Sequence, residues 1–209
     1  MGTAVESRGE FDVTALRHVL SKAVVLGLFE ALIVVLMSFI TRFTAPPIET
    51  ILGAIVLLIG LSGVVVMPGL WTRARTIEGI AGAAGIGLGA TVVFMLVDVA
   101  LLQPAGIYTN RWAEIGGFSN WWYHPVWWML GTFLPWFGAM TLASRAVRGK
   151  SVSIPGVMIP AVICAVALAI IAVFIRFPGA RWSLGTFGIA FIPGLALAEL
   201  FTMLGRRPG

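Results

Sequence analysis

Few residues in this chain could do chemistry: Asp98, His124 and Glu114, together with two carboxylates, Glu30 and Glu199, set inside long apolar runs. A carboxylate beside an imidazole stabilises the imidazolium and lifts its pKa, which makes such a pair able to move a proton near neutral pH. His124 stands in the run Asn120 to Trp128, NWWYHPVWW, one residue before Pro125. Proline is favoured in the first turn of a helix, so His124 is expected at a helix N-terminus, level with Asp98 near the end of the preceding apolar run. That pair is the first candidate site. Trp112, Trp121, Trp122, Trp127 and Trp128 surround it in sequence and are expected to supply ligand-binding surface.

Six of the eight tryptophans fall between residues 112 and 136. Tryptophan gathers at membrane interfaces whatever the protein does, which accounts for Trp112 and at least half of the rest. A belt is shared among helices at both faces, however, and this one is concentrated in one loop and one helix. Its surplus is expected to face protein or a ligand. Glu30 and Glu199 form the second candidate. Each lies about 10 to 12 Å inside its run, reckoned from Lys22 and Arg206 by the helical rise. If the first and last helices are neighbours, the two carboxylates could share a proton or hold a cation; otherwise each reaches the interface or pairs with an Arg or Lys.

Several chemistries are excluded. Gly60 to Gly63, GLSG, matches the GxSG pattern of rhomboid intramembrane proteases, but Ser62 would lie about 20 Å from the level of His124, too far for a base to activate it. Two histidines, His18 before the first apolar run and His124 at the mouth of the fourth, leave no bis-histidine haem. A catalytic zinc normally needs three protein ligands, and only Asp98, His124 and Glu114 could gather, so no metal is assigned. The one cysteine, Cys164, excludes an internal disulfide and thiol-pair redox chemistry. No residue is assigned a catalytic role, and the chain reads as a non-enzyme.

The elements that must position these groups follow from composition. With 59% hydrophobic residues, 11% charged and a mean hydropathy of +0.99, the chain cannot present a polar surface to water. Apolar runs over about 21–41, 49–70, 79–103, 122–144, 154–176 and 184–204 each reach spanning length. The expected fold is therefore an all-α integral membrane protein, a compact bundle of six transmembrane helices forming one domain over residues 21–209. With the N-terminus in the cytoplasm, Arg8, Arg17, Lys22, Arg73, Arg75, Arg145, Arg148, Lys150, Arg206 and Arg207 lie inside, against Arg42, Arg111, Arg176 and Arg181 outside. That bias puts both termini in the cytoplasm. The net charge of +5 is then a collar for anionic headgroups, with no nucleic acid needed. Residues 1–20 are a cytoplasmic segment; Ser7 and Glu10 at capping-box spacing, with Phe11, Ala15 and Val19 on one face, predict a short amphipathic helix. Residues 111–115 predict an interfacial helix in the outer loop. Two lysines against twelve arginines suggest a GC-rich genome, hence a bacterial plasma membrane.

Small residues recur at every fourth position: Ala81, Gly85 and Gly89; Ala161, Ala165 and Ala169; Ala190, Gly194 and Ala198. Such stripes let backbones approach closely, within the bundle or against a partner. The reading favoured by these features is a non-enzymatic subunit of a larger membrane assembly, in contact with lipids and other membrane subunits. Its aromatic outer pocket would hold a lipid, quinone or pigment. A small-solute transporter, or the substrate-binding subunit of one, is the alternative, and an intramembrane enzyme using Asp98, His124 or Glu114 is third.

Overall fold

The computed structural model describes residues 15–108 and 123–204, with the backbone alone at 123–127 and 202–204. The described chain is helical throughout, with no strand: α1 (Leu16–Phe43), α2 (Ile48–Trp71), α3 (Ile77–Val97), a π-helical turn (Asp98–Leu102), α4 (Tyr123–Val147), α5 (Ile154–Phe174) and α6 (Leu184–Leu204). Three helices begin on hydroxyl N-caps, which satisfy a backbone N–H left without an intrahelical partner. Thr76 accepts from Gly79, Ser153 from Gly156 and Ser183 from Thr186. Five of the six helices, all but α4, are long and apolar enough to cross a membrane. The fourth, 25 residues long, carries Pro135, Arg145 and a polar start at Tyr123 and His124. These dilute its apolar character, although it sits in the middle of the bundle.

Helix α1 packs on α3 and α2, α4 packs on α3 and α2, and α5 and α6 pack chiefly on each other. The register comes from the glycines. Gly27 abuts the Ala90 carbonyl and Val93, and Gly89 abuts Ala23, so α1 and α3 run parallel. Gly60 meets Ile33 and Gly63 meets Phe29, so α1 and α2 run antiparallel. The tightest seams belong to α4. A Cβ on Gly138 would stand 1.8 Å from the Val65 carbonyl oxygen of α2, and one on Gly87 of α3 would stand 2.2 Å from the Gly131 carbonyl. The Gly131 carbonyl has no amide partner four residues on, because residue 135 is proline. A glycine opposite it allows the close Cα–H approach that partly replaces the missing bond. The helices continue through Pro135 and Pro193 without interruption.

The buried residues form one large cluster, Val65, Val66, Leu134, Leu142, Val157, Met158, Ala161, Ala165, Phe191, Leu195 and Ala198, where α2 and α4 meet α5 and α6. Smaller clusters lie between α1 and α3 around Leu26, Ile86, Ala90 and Phe94. Isoleucines, leucines and phenylalanines stay exposed around the bundle, as on α1 and α5, in the manner of a lipid-facing surface.

One expectation changes. The amphipathic segment was expected to end at residue 20, yet the chain from Leu16 to Phe43 is one continuous helix; residues 1–14 lie outside the described residues. The stripes of the last two helices are used inside the chain, with Ala161 and Ala165 fully buried and Gly194 against the Ala165 backbone. On α3, Gly85 and Gly89 face α1, while Ala83 and Gly87 make a second stripe, and Ala23, Gly27 and Ala31 make one on α1. The interfacial helix expected at 111–115 lies outside the described residues.

Candidate functional site

At the distal end of the bundle, away from the start of α1, the π-helical turn brings Asp98 into the interior. A π-turn admits one extra residue and is found mostly at functional positions. Here it aligns groups five residues apart: the Gln103 backbone N–H donates to the Asp98 carbonyl at 2.9 Å, and the Gln103 side-chain Nε2 donates to Asp98 Oδ2 at 2.7 Å. The Tyr108 hydroxyl donates to Oδ1. Asp98 is 0% exposed, so these donors replace water around a group that is expensive to bury alone. The segment that carries them is held from α1. Ser38 Oγ donates to the Ile107 carbonyl at 2.6 Å, and the Arg42 guanidinium donates to the Gly106 and Ile107 carbonyls. Ile107 and Tyr108 then close over the Ala31, Val34, Phe94 and Leu102 cluster.

Of the residues singled out in sequence, the structure therefore places Asp98 in a network with Gln103, Tyr108, Ser38 and Arg42, none of which the sequence reading selected. Trp128 stands on α4 and is exposed. His124 and Trp127 lie in the first turns of α4, where only the backbone is described; Trp112, Glu114, Trp121 and Trp122 lie outside the described residues. The Asp98 to His124 pairing falls in that same region.

A second distal feature is a cleft of about 190 Å³ between α1, α2 and the start of α6. Met37, Ile40, Gly53 and Leu184 make its apolar side, and Thr41, Glu49, Thr50 and Ser183 its polar side. Trp182, 71% exposed, stands at its edge. The mixed lining has no short-range sequence signal, since it is assembled from three elements.

The remaining carboxylates lie on helices with different neighbours. Glu199, 3% exposed, is paired with Arg148 just beyond α4, its Oε1 3.7 Å from the guanidinium. Arg148 is also steered by a hydrogen bond to Ser144 Oγ at 2.8 Å. Because α1 packs on α2 and α3 while α6 packs on α5, Glu30 is not the group set beside Glu199. Removing one partner of a buried pair leaves the other desolvated, so Arg148→Ala is expected to destabilise the protein by about 3 kcal/mol. Arg148→Ala combined with Glu199→Leu should recover much of that loss in thermal unfolding; an additive double mutant would show that the pair contributes nothing.

Ser62 donates its hydroxyl to the Leu58 carbonyl of its own helix at 2.7 Å, which accounts for it without catalysis. No group of three or more metal-ligating side chains occurs among the described residues. The fold and site thus define a class: a multi-pass helical protein with membrane-compatible helices and polar features gathered at its distal end. Comparison with protein-family models, curated proteins and solved structures finds no match.

Proposed function

We propose that the protein is a non-enzymatic, six-span subunit of a bacterial plasma-membrane assembly, with both termini in the cytoplasm, and that it holds an amphipathic ligand at its outer end. The distal end is then the outer face, with α4 as the sixth span. The lining of the cleft carries this reading: Met37, Ile40 and Leu184 supply apolar surface, Glu49, Thr50 and Ser183 supply polar groups, and the exposed Trp182 adds an aromatic ring. Such a surface suits a lipid, quinone or pigment that presents a polar head and an apolar body. The aromatic residues Trp112, Trp121, Trp122, Trp127 and Trp128, with His124, would enlarge the same face.

The small-residue stripes no longer argue for a partner, since they are spent within the chain; the assembly rests on the lipid-exposed faces that remain. Asp98, committed to Gln103 and Tyr108, gives no support to the intramembrane-enzyme reading. The transporter alternative is favoured by one observation, the carboxylate of Glu30, which has no hydrogen-bond or ion-pair partner among the described residues.

Purification in mild detergent followed by native mass spectrometry should find a co-purifying amphipathic molecule. Gly53→Leu, which extends a side chain into the cleft, should reduce its occupancy several-fold. A lone monomer with nothing retained would overturn the reading.

A further inference from the structure

Of the three acids set away from the first turns of their helices, Asp98 is hydrogen-bonded by Gln103 and Tyr108 and Glu199 is ion-paired with Arg148. Glu30 is neither: among the described residues nothing donates a hydrogen bond to its carboxylate or forms an ion pair with it. It does not escape to either end of α1, because it lies eight residues beyond Lys22 and thirteen before Phe43, about 12 and 20 Å along the helix.

Its direction is fixed by its neighbours. Phe29 and Ile33 meet Gly63 and Gly60 of α2, and Gly27 meets Ala90 and Val93 of α3. At 100° per residue, position 30 falls between those two faces, in line with buried Leu26 and Val34. Glu30 therefore points into the wedge between α2 and α3 and is only partly buried there. The charged groups on the three helices are Arg17, His18, Lys22 and Arg42 on α1, Glu49 on α2, and Glu78 on α3, with Asp98 in the π-turn that follows. The nearest along the axis are Lys22, which lies over the Trp71 ring, and Asp98, which is engaged above.

Apolar side chains flank Glu30 along the same face of α1 on both sides. Toward the proximal end, Leu26 packs against Ile86 and Ala90 with almost no exposure. Toward the distal end, Val34 is buried with Phe94 and Leu102, four residues on from Glu30.

We propose that Glu30 is a reversible proton-binding site, which gives this protein a proton-coupled step. A carboxylate in apolar surroundings is costly unless something neutralises it, and with no resident partner the neutralising species is one that comes and goes. This inference stands apart from ligand holding at the cleft, since it concerns a different residue and a different readout.

The test is labelling of the intact protein in lipid vesicles with dicyclohexylcarbodiimide, which attacks protonated carboxyls in apolar settings, followed by peptide mass spectrometry. Labelling is expected at Glu30 in preference to Asp98 and Glu199, falling about tenfold per pH unit once the carboxyl is mostly ionised, and absent in Glu30→Gln. An infrared band of the protonated carboxyl, lost in Glu30→Gln, gives a reading that does not depend on the reagent; should that variant fail to fold, the pH profile of the native protein decides. Labelling that ignores pH, or that is equal at all three acids, would overturn the proposal. Protection by sodium at constant pH would overturn the proton in favour of a metal cation.

Discussion

Gly138→Ala is expected to leave little folded protein. The added methyl would fall 1.8 Å from the Val65 carbonyl oxygen, a backbone atom inside a neighbouring helix that cannot swing aside as a side-chain tip can. Overpacking a core costs about 1–3 kcal/mol and more when backbone must move, so the loss here should lie at or above about 3 kcal/mol, a large share of a typical folding free energy. Thermal unfolding of detergent-purified protein measures it. Gly188→Ala is the matched control: a Cβ there has nothing within 4 Å, and alanine favours a helix over glycine by up to about 1 kcal/mol. If Gly138→Ala melts with the native protein, α2 and α4 do not meet along this seam.

Asp98→Ala should be the second severe change. It removes the acceptor for Gln103, which is exposed, and for Tyr108, which is half-buried, and leaves a gap where a fully buried side chain stood. Hydrogen bonds to a charged group contribute about 1.5–3 kcal/mol each, so a loss of about 3 kcal/mol or more is expected, with faster proteolysis of the 103–108 segment. Asp98→Asn should recover over half of it, because the glutamine amide can turn to present its oxygen and the tyrosine still finds an acceptor. A fully stable Asp98→Ala protein would mean that the segment is held from Ser38 and Arg42 alone.

The helices were legible in the sequence because a chain so poor in charge has few other ways to satisfy its backbone, and their observed bounds follow the apolar runs closely for α2, α3, α5 and α6. The start of α1 was less legible. The polar residues of 16–22 suggested a break where the helix only emerges from its apolar stretch. Asp98 stood out in the sequence, being a charge in an apolar run, but its partners did not: a π-turn pairs residues five apart, and a search tuned to 3.6-residue periodicity passes over Gln103. The seams of α4 escaped for a related reason. Gly131 and Gly138 are seven apart with a proline between them, which breaks the four-residue spacing that marks a stripe. Glu199 was visible as an intramembrane acid, while Arg148, on another helix's end, could be joined to it only by the fold.

The placement of the glycine seams has a mechanical consequence. Backbones touch between α1 and α3, α3 and α4, α2 and α4, and α5 and α6. The hairpin of α5 and α6 meets the other four helices mainly through side chains such as Phe191, Leu195 and Val65. Side-chain interfaces slide more readily than interlocked backbones, so the molecule divides into a four-helix block and a two-helix arm. The distal cleft lies across that division, with Met37, Thr41 and Gly53 on the block and Trp182, Ser183 and Leu184 on the arm. A molecule seated there rests on two bodies at once. Were a ligand bound there, its affinity and the position of the arm would be coupled, each biasing the other.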